Sequence, residues 1–255
     1  MEIYSKEELI EKLTQIKEKG WILNARPGNV GGIGNTLEDI LGIEENNLPI
    51  PNAAEWELKC RRIGSSSLTT LFHMEPSPRA IKFVPNIFLP LYGWEHQTIP
   101  NEMSFRQTIN SLSRTDRGFK IVVDHNARKV LISFNSDAVS NRHSDWLKSV
   151  EERIGLEELN PQPYWGFNDL YHKAGTKLLN CFFIRAEVKR ESGNEYFWYK
   201  DIIILQEFSF NNFLKAIDEG FLLVDFDART GHNHGTKFRL RQDKLPYLYE
   251  KVVKN

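Results

Sequence analysis

The chain has 255 residues, of which 40% are hydrophobic and 26% are charged, and its formal net charge is −1. This composition is typical of a globular protein with one large domain or two lobes. No apolar run approaches the roughly 18 residues that a membrane helix requires, and the N-terminus lacks the basic and apolar regions of a signal peptide. We therefore expect no membrane association.

The net charge limits the kinds of binding partner, and the cysteines indicate the cellular compartment. A net charge near zero creates no overall positive field, so any contact with nucleic acid must come from a local cluster of cations. The two cysteines, Cys60 and Cys181, lie far apart in strand-like segments, which is typical of a reducing compartment. The sequence predicts a cytoplasmic protein.

Residues 5–19 are predicted to form an amphipathic helix. Ser5 and Glu8 have the spacing of a capping box, and Gly20 provides a stop signal. The apolar positions with helical spacing are Leu9, Ile10, Leu13 and Ile16. We interpret this helix as a packing element with a solvated charged face.

A glycine-rich segment, residues 28–34, follows this helix. It lacks the Gly-Lys-Ser/Thr end of a P-loop and the third glycine of a dinucleotide fingerprint, which argues against a phosphate cradle. We expect a loop that leads into a short helix over residues 36–41, with Thr36 as N-cap and Gly42 as its end. Glu38 then falls in the first turn, where the helix dipole favours a carboxylate.

Residues 51–61 alternate polar and apolar side chains with the period of a β-strand. The predicted polar face carries Glu55, Glu57, Lys59 and Arg61. The predicted core face carries Trp56, Leu58 and Cys60. Glu57 and Lys59 are about 7 Å apart at the backbone, because a strand rises about 3.3 Å per residue. Both side chains can therefore reach one phosphate.

An acid and a lysine at this spacing suit metal-assisted phosphodiester hydrolysis. A carboxylate such as Glu57 is a ligand that Mg²⁺ prefers, and the ammonium of Lys59 can touch both a phosphate and an attacking water. The two-residue pattern is also common on the solvated face of an edge strand. Beside such a strand, Glu38 becomes a candidate third acid near the metal.

The rest of the chain is rich in predicted strands. The predicted strands are residues 65–73, a hairpin over 119–124 and 129–134, a second hairpin over 178–189 and 196–205, and residues 221–226 and 236–240. Predicted helices are residues 146–153, 210–219 and a closing helix over 243–253. The prolines in residues 160–163 mark the best lobe boundary.

Two segments carry a specific family resemblance. Gly31-Gly-Ile-Gly-Asn-Thr-Leu-Glu38, followed by Pro51-Asn-Ala-Ala-Glu-Trp-Glu57-Leu-Lys59 and the strand after it, resembles the N-terminal catalytic segment of the MvaI/BcnI restriction endonucleases. Gly231-His-Asn-His-Gly-Thr-Lys-Phe-Arg-Leu resembles the family's His-x-His-Gly-Thr-x-Phe-Arg loop and strand. The mismatch-repair nickase MutH looks like a more distant relative.

The resemblance implies an α/β fold of the PD-(D/E)xK nuclease type, with a mixed β-sheet flanked by helices and a smaller β-rich DNA-recognition lobe. We place the catalytic lobe at residues 1–160 and the recognition lobe at 161–255. The resemblance further implies a monomeric, Mg²⁺-dependent type II endonuclease that cuts double-stranded DNA at a short CC/GG-flanked site. A cognate DNA methyltransferase is expected in the same host.

The resemblance also assigns residues to roles. The active-site positions are Glu38, Asn52, Glu57 and Lys59, with Asn52 and Glu57 as the metal ligands. The DNA-reading positions are His232, His234, Thr236 and Arg239. The contiguous His-Asn-His letters do not indicate an HNH nuclease, and two histidines without nearby cysteines do not indicate zinc.

A local excess of cations supports the second assignment independently. The basic residues between positions 229 and 244 are Arg229, Lys237, Arg239, Arg241 and Lys244, against one acid, Asp243. Arginine suits bidentate contact with guanine, worth about 1–3 kcal/mol of discrimination per pair. The alternative is a solvated basic strand without a ligand.

Asn52 departs from the family, which has an Asp at this position. An amide is neutral and a weaker Mg²⁺ ligand, and losing one electrostatic group can cost about 10²–10³ in rate. Asn52 is then an engineered substitution, a natural change in a protein that binds without cutting, or a change compensated by Glu55. The alternatives to an active endonuclease are a DNA-binding protein with a degenerate nuclease core and a MutH-like nickase.

Overall fold

The computed structural model of this protein describes residues 4–29, 31–43 and 55–255. The chain forms two compact units that are interleaved in the sequence. The first unit comprises Met1–Thr69, Lys173–Phe210 and Gln242–Asn255, and the second comprises Thr70–His172 and Asn211–Arg241. The predicted boundary at residue 160 lies inside the second unit, so it does not separate these two bodies. No helix in the described part of the chain is long and apolar enough to cross a membrane.

The first unit is a mixed five-stranded sheet with helices. Its elements are α1 (Lys6–Glu18), β1 (Ile22–Leu23), α2 (Gly32–Leu41), β2 (Glu57–Arg62), the C-terminal half of α5 (Phe167–Leu178), β9 (Asn180–Glu191), β10 (Asn194–Phe208) and β14 (Tyr249–Lys254). The strands lie in the order β1-β10-β9-β2, and β14 also pairs with β10. Only β2 and β9 are parallel among the described pairs of this sheet. The predicted mixed sheet with flanking helices is confirmed.

The core of the first unit lies between this sheet and its N-terminal helices. Ser5 and Glu8 form the predicted capping box, and Leu9, Leu13 and Ile16 are buried. From the sheet, the buried side chains that meet them are Trp56, Leu58, Phe182, Ile184, Ala186, Phe197, Tyr199, Ile202 and Ile204. The apolar face of β2 is therefore the one that the alternation predicted.

Helix α2 begins earlier than predicted. It starts at Gly32 rather than Thr36, although glycine costs about 1 kcal/mol relative to alanine inside a helix. Tertiary packing explains why glycine is found at this start. A Cβ at Gly32 would lie 2.9 Å from Asn24 Oδ1, so a larger residue would not fit there. Thr36 is not an N-cap; it is buried within the helix, where its Oγ1 accepts a hydrogen bond from Ala25 N at 3.1 Å. Gly42 ends the helix in the left-handed conformation, as predicted.

The second unit contains two sheets. Its elements are most of β3 (Leu68–His73), α3 (Leu89–Tyr92), β4 (Trp94–Glu95), β5 (Met103–Ile109), β6 (Arg117–Asp124), β7 (Lys129–Val139), α4 (Ser144–Ile154), β8 (Tyr164–Gly166), most of α6 (Phe210–Asp218), β11 (Leu222–Arg229), β12 (His232–Asn233) and β13 (Lys237–Arg241). One sheet has the order β3-β13-β11-β5-β4 with β12 beside β11, and the other has the order β6-β7-β8. Stacked aromatic rings such as Phe88 on Phe105, 4.7 Å between centroids, fill the core of this unit.

The predicted closing helix over residues 243–253 is wrong. The chain forms a 3-10 segment, Gln242–Leu248, followed by β14, which pairs antiparallel with β10. Pro246 cannot donate the backbone hydrogen bond that a longer helix needs, and the aromatic and β-branched residues after it favour a strand. Helix α5 and strand β5 were not predicted from the sequence.

Candidate active site

The candidate active site of the first unit is built around Glu57, the first residue of β2. Its side chain is 1% exposed, and its Oε1 lies 2.6 Å from Lys59 Nζ. Glu57 and Lys59 share a face of the strand because they are two residues apart. The predicted acid–lysine pair is therefore a buried ion pair and not a solvated edge-strand face.

A second lysine completes the environment of Glu57. Lys177 Nζ, from α5, lies 3.0 Å from Glu57 Oε2, and the Lys177 side chain is 12% exposed. Each carboxylate oxygen of Glu57 thus has its own ammonium partner. Sequence reasoning missed Lys177, although Leu170, Ala174 and Leu178 recur at the four-residue spacing of a helix.

Lys59 carries a firmly held positive charge. Burial by itself lowers the pKa of this lysine, but attraction and hydrogen bonding to Glu57 outweigh it, and Glu38 adds to the attraction. The net pKa of Lys59 is above its ordinary value. Lys59 is therefore an ammonium at neutral pH.

Glu38, on α2, interacts electrostatically with residues of β2. Its charge contributes to the raised pKa of Lys59 and, after burial, to the raised pKa of the Cys60 thiol. Since α2 starts at Gly32, Glu38 lies in the last turn of the helix rather than the first. The helix dipole disfavours a carboxylate there, so the first-turn explanation of Glu38 is wrong. Three predicted active-site residues, Glu38, Glu57 and Lys59, thus belong to one electrostatic cluster.

Two further candidate positions, Asn52 and Glu55, precede β2 in the sequence. Asn52, predicted as an active-site residue and metal ligand, lies outside the described residues. Glu55 is exposed in the turn before β2, whereas Glu57 is buried. Burial therefore distinguishes Glu57 from Glu55, the carboxylate that could compensate for Asn52.

The predicted DNA-reading residues lie in the second unit, on and beside the sheet that contains β11 and β13. His232 and His234 are exposed, with ring centroids 4.5 Å apart. Thr236 is 0% exposed, and its backbone N and its Oγ1 donate to Glu75 at 2.8 and 3.0 Å. Thr236 anchors the loop that presents the histidines, which fits a supporting role rather than direct contact with a ligand.

The predicted cationic cluster is matched by acids that the sequence count did not include. Arg239 Nη1 lies 3.2 Å from Asp225 Oδ2, and Arg229 Nη1 lies 2.7 Å from Glu102 Oε2. Lys237 and Arg106 both contact Asp227, at 3.2 and 3.1 Å. We call this set the charged sheet face; its members are Arg106, Asp225, Asp227, Lys237 and Arg239. Three of the five predicted cations, Arg229, Lys237 and Arg239, are therefore paired with acids.

The signal for the two aspartates was present in the sequence. Asp225 and Asp227 alternate with the buried residues Val224, Phe226 and Ala228 along β11. That period of two places both acids on the face opposite the core. Only the pairing of β11 with β5 and β13 shows that cations lie beside them.

An acid–lysine pair on a strand of a mixed sheet flanked by helices is the arrangement of a metal-dependent nuclease. Comparison with known proteins agrees. The sequence matches the MvaI/BcnI restriction endonuclease family over residues 10–249. The fold is similar to that of the restriction endonuclease MvaI in complex with its cognate DNA substrate, with a TM-score of 0.78 and 25% identity over 98% of this chain and 99% of that chain. It is also similar to MvaI in the absence of DNA, with a TM-score of 0.54 and 23% identity over 96% and 97% of the two chains.

The comparison with curated proteins finds no match. The family match spans nearly the whole chain, and the chain therefore belongs to the MvaI/BcnI restriction endonuclease family. It is a type II site-specific deoxyribonuclease. Restriction endonucleases of this kind generally depend on a divalent metal.

Proposed function

We propose that this protein is a monomeric, Mg²⁺-dependent endonuclease that cuts both strands of double-stranded DNA at a short CC/GG-flanked site. The observation that carries the proposal is the buried Glu57 carboxylate held between Lys59 and Lys177. The likeness to MvaI bound to its cognate DNA substrate supports duplex DNA as the partner. A cognate methyltransferase in the same host would protect the host's own sites.

The donor set fits a hard divalent cation. The described residues contain no group of three or more His, Cys, Asp and Glu close enough to hold a metal. Mg²⁺ in nucleotide and nucleic-acid enzymes, however, commonly uses one or two carboxylates, with water and substrate oxygens as the other ligands. Glu57 would hold the ion, with the amide oxygen of Asn52 as the predicted second ligand. When bound, the ion supplies an activated water and neutralises charge on the phosphate.

The two lysines contribute positive charge where negative charge develops. In this proposal Lys59 touches a phosphate oxygen and orients an attacking water; the ion pairs of Lys59 and Lys177 with Glu57 support it. Such fixed charges in a poorly solvated site stabilise a transition state without reorganising at the moment of reaction. Glu38 adds a negative charge that acts on Lys59.

The charged sheet face and the histidine loop form the proposed DNA-reading surface. Arginine pairs with guanine edges and an aspartate accepts from the amino group of cytosine, so alternating cations and acids suit a site rich in both bases. Asp225 holds Arg239 and Asp227 holds Lys237, which fixes the long cationic side chains before DNA arrives. His232, His234 and Arg229 lie beside this face as further donors.

Asn52 favours one alternative, a DNA-binding protein whose nuclease core is degenerate. The decisive experiment incubates supercoiled plasmid with the purified protein, Mg²⁺ or Mn²⁺, and in parallel with the Asn52→Asp variant. We expect discrete fragments, at least from the variant, and the sequence of their ends gives the recognised site and the cut position.

Other outcomes separate the alternatives. Shifted but intact plasmid with both proteins indicates a binder and contradicts the endonuclease. Accumulation of open circles without linear product indicates a nickase of the MutH kind. A Glu57→Gln variant is the control, because it retains the size of the side chain and removes the carboxylate.

A further inference from the structure

The second unit contains a groove of about 1250 Å³ whose lining residues, apart from Arg106, have no role above. Its walls come from the region of β4, the first half of β5, the start of β6, and α4 with the turn before it. Its tryptophan and arginine lining residues are Trp94, Arg106, Arg117, Arg142, Trp146 and Arg153. We call it the Arg117 groove.

Arg117 is held in this groove by aromatic side chains. Its guanidinium carbon lies 3.9 Å from the ring centroid of Trp94 and 5.5 Å from that of Trp146. The Trp146 indole is itself fixed, because its Nε1 donates to Tyr92 O at 3.1 Å. Contacts of this kind hold a guanidinium plane in one orientation.

One donor of Arg117 lacks an acceptor within the described part of the chain. Its Nε is buried and has no hydrogen-bond partner there. Burial lowers the pKa of Arg117, although the nearby Asp116 opposes that effect. A half-buried cation with an unused donor is rare in proteins and points to an anionic ligand.

The other arginines of the groove are already engaged. Arg106 pairs with Asp227 at 3.1 Å, and Arg142 pairs with Asp116. Arg153 donates to the carbonyl oxygens of Ser149 and Pro90 at 2.8 and 2.9 Å. Among the described arginines that line the groove, Arg117 is thus the one without an ion pair and with an unpartnered Nε.

Four arginines line the groove against three acids, Glu95, Asp116 and Asp145, so the groove keeps a small cationic excess. A planar guanidinium fork matches two oxygens of a phosphate, and the groove is far larger than a single ion requires. Arg106 lines the groove and also belongs to the charged sheet face, so the two surfaces adjoin. We propose that Arg117 binds a phosphodiester group of duplex DNA next to the base pairs read by the charged sheet face. This inference rests on the proposed function, and it assigns a contact that is independent of base sequence.

The test measures binding of wild type, Arg117→Gln, Arg117→Lys and Arg79→Gln to a fluorescent duplex of arbitrary sequence, in EDTA, over a series of salt concentrations. Arg79 is an exposed arginine outside the groove in the same unit, so its loss controls for net charge. We expect Arg117→Gln to weaken binding about tenfold and to reduce the salt slope by about 0.9, the value for one lost phosphate contact. Arg117→Lys should keep the slope and lose part of the affinity, and it decides the outcome if Arg117→Gln does not fold.

Equal affinity and slope for Arg117→Gln and Arg79→Gln would overturn the inference, even if the wild type cuts plasmid. Conversely, an Arg117-dependent slope in a protein that never cuts DNA supports the groove while the proposed function fails. Titration with inorganic phosphate, followed by tryptophan fluorescence, distinguishes the source of the phosphate. The assignment to DNA is overturned if the fluorescence change with inorganic phosphate requires Arg117 while duplex binding does not require Arg117.

Discussion

At the scale of single residues, the unusual feature is one buried carboxylate shared by two ammonium groups. Glu57 is 1% exposed, while Lys59 and Lys177 retain only 16% and 12% of their exposure. Burying three charges is costly unless they are paired, so this cluster contributes little net stability. The chemistry of the site therefore explains this charged cluster better than the stability of the fold does.

Asn52→Asp introduces the carboxylate that the family resemblance predicts at this position. We expect single-turnover cleavage of plasmid to become faster by about 10²–10³, because a charged metal ligand replaces a neutral one. Glu55→Gln, in the exposed turn before β2, is the matched control and should leave the rate of the Asn52→Asp variant unchanged. A large loss when Glu55→Gln is made in the chain with Asn52 would instead show that Glu55 supplies the missing charge.

Lys177→Met removes one partner of Glu57. We expect the free energy of unfolding to fall by about 1–3 kcal/mol, because one carboxylate oxygen loses a charged donor in a buried place. Cleavage should fall as well. Lys177→Arg retains the charge and should recover most of the stability, as measured by urea unfolding. Full activity of Lys177→Met would assign this lysine to stability alone.

At the scale of elements, α2 shows how tertiary contacts override local preference. The propensity scale treats all four glycines of residues 28–34 as helix-breaking, yet two of them, Gly32 and Gly34, lie inside α2. Gly32 packs tightly against Asn24, and Tyr199 donates from its hydroxyl to Ile33 O at 2.8 Å. These contacts set the position of Glu38 relative to β2.

The two glycines of α2 provide a matched pair of substitutions. Gly34→Ala meets no atom within 4 Å, so we expect it to raise the free energy of unfolding by up to about 1 kcal/mol. Gly32→Ala should lower the same quantity by about 1–3 kcal/mol, because its Cβ would overpack against Asn24 and Arg26. Urea denaturation of the two variants tests the sign of each change. Stabilisation by both would show that the packing around Gly32 is loose.

At the scale of the whole molecule, paired carboxylates determine the response to acid. Arg26 lowers the pKa of Asp39, and hydrogen bonds to Ser5 lower that of Glu8. For Asp116 and Glu195, burial would raise the pKa, but hydrogen bonds from His143 and Arg142 and from Arg62 outweigh it. A carboxyl group whose pKa is lowered in the folded state stabilises the fold at pH values above its ordinary pKa. This contribution disappears as the pH falls through the folded-state pKa.

We therefore expect the free energy of unfolding to decrease as the pH falls below about 4.5, the ordinary value for a glutamate. Glu195→Gln should be less stable than wild type at neutral pH, and the difference should shrink in acid. Glu250→Gln, exposed on β14, is the control and should show the wild-type profile. Parallel profiles for wild type and Glu195→Gln would contradict this account of the acid response.

Local sequence was sufficient to predict the α1 capping box, the two faces of β2, both hairpins and the family, because each depends on residues close together in the chain. The acid–lysine pair belongs to this group, since a spacing of two on a strand places both side chains on one face. The tertiary structure was needed to show that Lys177 reaches Glu57, that Asp225 and Asp227 pair with Arg239 and Lys237 of the predicted basic cluster, and that Thr236 is buried. It also showed two compact units that are interleaved in the sequence, and strand β14 in place of the predicted closing helix. These features depend on contacts between residues far apart in sequence, which no local period records.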